Sequence, residues 1–144
     1  MTVIINRSEN KNVVLISLRE YLNEETLHLL SSEKNRNRLI NAVDRANRGE
    51  YESHGLIGSN DGSIVDKDAS EGYIYWQQTD KTVLRRINEL IKECLRTPFK
   101  GKGKPESLKE NLSGFWSRRI TDEHRLVYRI EAQRLHIIQY RYHY

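Results

Sequence analysis

The sequence closes on Arg141-Tyr142-His143-Tyr144, a histidine between two tyrosines. Histidine titrates near neutral pH and can deliver a proton under physiological conditions. A frayed chain end is the alternative for a residue in that place. Upstream, "KGKGKPESLK" sets the Glu106 carboxylate among Lys102, Lys104 and Lys109. Lysines so close favour the ionised carboxylate and weaken it as a base, unless burial or a bound polyanion pushes the other way. From spacing alone Glu106 reads equally as a charge-balancing surface acid. Arg125 opens the run "RLVYRI", on one strand face with Val127 and Arg129. Its planar fork suits a phosphate, and a strand-edge charge is the plainer reading. A base, an acid and cations are what RNA cleavage without a metal requires. The 2′-hydroxyl attacks the adjacent phosphate, the leaving 5′-oxygen takes a proton, and the cations absorb the extra negative charge of the transition state.

Charge distribution agrees with a polyanionic partner. Residues 1–60 hold 8 Lys/Arg against 8 Asp/Glu, whereas residues 81–144 hold 15 against 7, a net of +8. A basic region of that kind fits nucleic acid, although a solvated basic face has the same composition. His28, His54, His124 and His136 share no metal-ligand spacing, and Cys94 has no cysteine partner, so neither a metal nor a cofactor is expected. Cys94 falls on a helical apolar position and reads as a core residue in a reducing compartment. No apolar run approaches the length of a membrane span, and "MTVIINRSEN" lacks the pattern of a secretory signal, which points to the cytoplasm.

Hydrophobic periodicity supplies the elements that must position these residues. Apolar runs at 3–5 and 13–18 flank a polar turn and predict a β-hairpin. "NEETLHLL" predicts a short helix with Asn23 as its cap and acids in its first turn. Ser32 can cap a second helix, whose stripe of Leu39, Ile40, Val43 and Ala46 is narrow and needs a partner surface; Gly49 ends it. The Gly-, Ser- and Asp-rich stretch 53–72 reads as a linker carrying Leu56-Ile57 and a short strand at Ile64-Val65. From Tyr73 to Phe99 a period near 3.6 predicts one long helix or a helical hairpin, stopped by Pro98, with Trp76 in the core. "FWSRRIT", "RLVYRI" and "RLHIIQYRY" alternate as three antiparallel strands. The fold class is therefore α+β.

Three stretches carry a resemblance. "YIYWQQTDK", "RTPFKGKGKPESLKENLSGFWSRRITDEHRLVY" and the terminal "RYHY" closely resemble YoeB toxins, members of the RelE-like family of ribosome-dependent mRNA endonucleases, over residues 63–144. "VVLISLREY" and "EETLHLLSSEKNRNRLINAVDRANRGE" resemble the C-terminal half of YefM antitoxins. The resemblance implies a small antiparallel RelE-like sheet with two N-terminal helices, preceded by a truncated antitoxin hairpin and helices. It divides the chain into an antitoxin segment (1–52), a linker or toxin-wrapping tail (53–62) and a toxin domain (63–144). It also implies roles: Glu106 as general base, Arg125 at the scissile phosphate, His143 as general acid, Tyr144 shaping the site and stacking on RNA. Lys109, Arg119, Lys102 and Lys104 would hold the RNA backbone. Leu39, Val43, Leu56 and Ile57 would carry the neutralising contact with the toxin.

Two functions follow from the same residues. One is an endoribonuclease that cuts messenger RNA in the ribosomal A site, kept latent by its own N-terminal segment. The other is a catalytically silent toxin–antitoxin binding module. A short tether gives an effective concentration on the order of millimolar, so even a weak antitoxin segment stays bound. Neutralisation in cis and neutralisation by a swapped segment remain equally open, as does a homodimer. Operator DNA binding is not expected, because the sequence starts after most of the segment that builds the operator-binding surface.

Overall fold

The structure, a computed structural model, describes residues 2–7, 12–53 and 63–144. An antiparallel hairpin comes first, β1 (Thr2–Arg7) with β2 (Asn12–Ser17), Thr2 opposite Ser17. α1 (Leu18–Leu30) turns sharply at Asn23, where φ is 59°. The Asn23 Oδ1 accepts from Thr26 N at 2.9 Å, so the helix restarts there with the cap its sequence predicts. Ser32 caps α2 (Glu33–Asn47) by accepting from Asn35 N, and Gly49, at φ 75°, lies just past its end. After β3 (Glu52–Ser53) the described chain resumes at Ser63. Leu56, Ile57 and His54 lie outside the described residues.

Then come β4 (Ile64–Val65), α3 (Lys67–Thr79) and α4 (Lys81–Arg96). The stretch 53–72 is thus only partly a linker, since α3 starts at Lys67 and not near Tyr73. The cause is Asp66, whose carboxylate accepts from Asp68 N at 3.1 Å and opens a helix in a sequence rich in Gly and Ser. Between Tyr73 and Phe99 the chain forms a helical hairpin. Asp80 is the joint, extended at φ −153°, with its Oδ1 accepting from Thr82 N and Val83 N. β5 (Glu106–Ser107), a single 3-10 turn at Glu110–Leu112, β6 (Trp116–Arg119), β7 (Arg125–Glu131) and β8 (Arg134–Gln139) complete the order.

Six strands form one sheet in the order β3-β4-β8-β7-β6-β5, antiparallel except for the β4–β8 pair. Its central strands β7 and β8 are buried on both sides, so both faces must be covered. On one face Leu126, Tyr128, Leu135 and Ile137 pack with Trp76, Ile87, Leu90, Ile91 and Cys94 of the helical hairpin. On the other, Val127, Ile138, Phe115, Leu108 and Leu112 meet Leu29, Leu39, Ala42 and Ala46. The narrow stripe of α2 finds its partner there, with Leu39 fully buried and Val43 half-buried at the margin. Arg45 fastens the same helix to the start of α3: its Nε and Nη2 reach the two Asp66 oxygens at 2.8 and 2.9 Å, and Nη2 also meets Asp68. Among the described residues no helix is long and apolar enough to cross a membrane.

Truncating Leu39 to Ala opens a cavity in the second core and should cost roughly 2–5 kcal/mol of unfolding free energy. Val43→Ala, at the margin, should cost about 1 kcal/mol, the ordinary size of a point-mutant effect. Urea unfolding of the two variants checks the order; equal losses would mean that α2 is not seated on the sheet.

Candidate active site

Strand alternation in β6 sends two adjacent arginines in opposite directions. Arg118 is fully buried, with Nε donating to Tyr128 Oη at 3.0 Å and its remaining nitrogens donating to the carbonyls of Thr97, Lys100 and Lys102. One side chain therefore pins the whole basic loop between α4 and β5. Gly103 lets that loop come close: its φ is 85°, and a Cβ there would stand 2.8 Å from Leu90 Cδ2. Lys102 and Lys104 stay exposed on the loop, and Glu106 follows, exposed, on β5.

Arg119 points the other way, toward Arg125 on β7. Both guanidiniums meet the carboxylate of Glu25 from α1. Arg125 Nε donates to Glu25 Oε2 at 2.6 Å, Arg119 Nη2 to Oε1 at 3.2 Å, and Ser117 Oγ lies 3.4 Å from Oε2. Arg125 Nη1 is anchored on the carbonyls of Thr121, Asp122 and His124, which fixes its fork. Burial pushes the Glu25 carboxyl up, but the two arginines outweigh it and hold it below the usual carboxylate range. Hydrogen bonds on either side of Glu25 seat it. Asn23 Nδ2 donates to Ser107 O at 2.7 Å, and Thr26 Oγ1 accepts from Lys109 N at 3.0 Å. Asn23, Glu24, Glu25, Glu106 and Arg119 together line one recess.

The last residues are held by a second set of contacts. Asn35, fully buried, accepts from His143 N and from Gln139 Nε2, both at 2.9 Å, and donates to Leu29 O. Ser32 Oγ donates to His143 O at 2.7 Å, and Ser31 Oγ lies 2.9 Å from the Tyr142 hydroxyl. His28 stacks on Tyr142 at 4.7 Å. The His143 ring faces a different recess, with Arg38, Asp68 and Arg141 among its lining. Burial, then Arg38, Arg141 and Lys34, hold its imidazole down to about 4, so it is neutral at pH 7. Tyr144 is exposed, and its phenol is pushed up to about 12 beside Glu123.

Among the sequence-derived candidates, Arg119 and Arg125 meet on Glu25, Glu106 lines the same recess, Lys109 is tied to Thr26 by its backbone N–H, and His143 lines a second recess that shares no lining residue with the first. Lys102 and Lys104 are exposed on the loop that Arg118 pins. Sequence reading missed Glu25 itself, Asn35, Thr26 and Arg118. The acids of "NEET" were visible only as a helix-start signal, and Asn35 carried no signal beyond its polarity. Arg118 could have been found, because strand alternation turns one of two adjacent arginines inward.

The sheet with its helical hairpin is similar to solved bacterial toxins. A YoeB/ParE toxin from Agrobacterium tumefaciens is 50% identical and superposes with a TM-score of 0.54, covering 56% of this chain and 95% of that one. The YoeB-YefM toxin-antitoxin heterotetramer from Staphylococcus aureus matches at 47% identity and a TM-score of 0.54, over 56% of this chain and 93% of that chain. Toxin YoeB of Escherichia coli K12 is 60% identical over 81 residues, 56% of this chain and 96% of its own length. Residues 65–144 match the YoeB-like toxins of bacterial type II toxin-antitoxin systems, and the chain belongs to that family.

A histidine whose folded pKa lies below its unfolded value stabilises the fold above about 6.5, its ordinary pKa, and loses that contribution as pH falls toward 4. Between pH 7 and pH 5 the wild-type chain should therefore lose more stability than His143→Gln. Thermal unfolding across that range tests this, and parallel losses in the two proteins would show that His143 is not held neutral.

Proposed function

We propose that this chain is a ribosome-dependent mRNA endonuclease held latent by its own N-terminal segment. We read residues 1–52 as a truncated YefM-like antitoxin portion, 53–62 as the connecting tail and 63–144 as the toxin. The observation that carries the reading is the placement of Glu25 between Arg119 and Arg125, while Asn35 and Ser32 hold the His143 backbone. Every group that metal-free cleavage needs is present, and the point where the two arginines meet is filled by Glu25.

In the released state, Glu106 takes the proton of the 2′-hydroxyl as it attacks the neighbouring phosphorus. Arg125, fixed on three carbonyls, presents its fork to the phosphate oxygens, and Arg119 shares the developing charge. Lys109, Lys102 and Lys104 hold the flanking backbone. His143 protonates the departing 5′-oxygen, which requires that it leave Arg38 and Lys34 and regain a pKa near neutrality. Tyr144 stacks on a base. Leu39 and Val43 seat the covering helix, and we assign Leu56 and Ile57 to the same contact. The message on the cytoplasmic ribosome is the substrate. The cover acts in cis or is exchanged between two copies, and a YoeB dimer solved from Staphylococcus aureus sets a precedent for a pair of toxin units.

Growth and message integrity on inducing three proteins test the proposal: the full chain, residues 63–144, and residues 63–144 with His143→Ala. The shortened protein should arrest growth and cut messages on translating ribosomes, and the full chain should not. His143→Ala should lower cleavage by about 10²–10⁴-fold, the usual contribution of a general acid. A folded 63–144 that leaves messages intact would sink the nuclease reading. It would favour the catalytically silent binding module, which the tight internal Arg125–Glu25 pair also supports.

A further inference from the structure

Glu25 is unusual among the covering residues. Leu29, Leu39 and Ala42 bury apolar surface, and Asn35 and Ser32 hold backbone groups, but Glu25 places a buried charge against both arginines of the cleft. Its carboxylate is 6% exposed, and Arg125, which it faces, is 4% exposed. Arg125 is the desolvated partner and the Arg119 side chain is 43% exposed, and two guanidiniums drawn to one point repel each other unless an anion lies between them. The anion must also have two oxygens, because Arg125 Nε and Arg119 Nη2 take different ones. A carboxylate meets both conditions. So does the non-bridging pair of oxygens on an RNA phosphodiester, with the same single charge and a similar spacing. Backbone groups next to the site are engaged in parallel: Ser107 O by Asn23 and Lys109 N by Thr26, on the two residues flanking Leu108.

We propose that Glu25 occupies the place of an RNA phosphodiester, so that the N-terminal segment inhibits by direct competition for one anion site rather than by distorting it. The identity of that phosphate as the scissile one rests on the nuclease reading above; the competition for the site does not. Arg125 rests on three carbonyl anchors and Arg119 on its strand pairing, contacts that do not involve Glu25. The site is therefore already shaped for an anion, and the cover fills it. A competing internal ligand weakens RNA binding by the fraction of time it leaves the site open.

The test uses the full chain and a short single-stranded 2′-O-methyl oligoribonucleotide, which keeps the phosphates but has no attacking hydroxyl. Fluorescence anisotropy at fixed low salt compares wild type, Glu25→Gln and Glu89→Gln, an exposed α4 residue that loses the same charge. Glu25→Gln should bind at least about tenfold tighter than wild type, while Glu89→Gln, a long-range charge change, should move binding less than about threefold. Glu25→Asp retains the charge but shortens the reach by one methylene, and should fall between Glu25→Gln and wild type; it gives the same readout if Glu25→Gln does not fold. A gain for Glu25→Gln no larger than that for Glu89→Gln, or for Glu25→Asp no larger than experimental error, overturns the proposal. Cleavage of messages on translating ribosomes is scored separately. Tighter RNA binding without cleavage upholds the competition and removes the nuclease reading; cleavage by residues 63–144 without any gain for Glu25→Gln does the reverse.

Discussion

A sheet that is apolar on both faces needs two covers, and most of this molecule follows from that requirement. The α3–α4 hairpin supplies one. The other comes from α1 and α2, through Leu29, Leu39, Ala42 and Ala46 against Val127, Ile138 and Phe115. Burial of this kind is non-directional and says only that a helix will lie there. Directional contacts then set where it lies: the Arg45 fork on Asp66, the Asn35 hub on His143 and Gln139, and the Asn23 and Thr26 bonds to the β5 region. With those in place, Glu25 has nowhere to go except between Arg119 and Arg125.

Adjacent residues on β6 illustrate how one strand serves fold and chemistry together. Arg118 has no carboxylate among its hydrogen-bond partners; four polar groups, three of them backbone carbonyls and one a tyrosine hydroxyl, carry its charge instead. It is the interior support of the loop that bears Lys102 and Lys104. Arg119, a residue later, reaches the cleft. A one-residue register slip would exchange these duties and leave both undone. The antiparallel pairing of Ser117 with Val127 and of Arg119 with Arg125 is what brings two cations to a single anion.

Local signals were legible in the sequence. The Asn23 and Ser32 caps, the Gly49 stop, the helical hairpin under Trp76 and the three closing strands each depend on residues within a turn or two of one another. The start of α3 was not read, because a single Asp66 cap competes with a composition that otherwise resembles a linker. The site was half legible. Glu106, Arg119 and Arg125 stand out by type, and the resemblance names their roles. Glu25 meets Arg125 a hundred positions away, and nothing in "NEET" distinguishes the acid that pairs from the acid beside it. Asn35 likewise looks like any polar residue on a thin amphipathic helix until the chain folds back onto it. Contacts between distant segments are set by the whole packing, and a single sequence does not display them.

The Asn35 hub also has a bearing on timing. Its side chain is joined to His143 across 108 positions. During synthesis α1 and α2 emerge first, while β7, β8 and the closing residues have yet to be made, and domains take shape from the N-terminal side. The segment that covers this face of the sheet is therefore synthesised before the sheet itself is complete. Arg125 leaves the ribosome a hundred residues after Glu25, and His143 is among the last residues to follow. The order of translation alone places the segment that carries Asn35 ahead of the residues that close onto it.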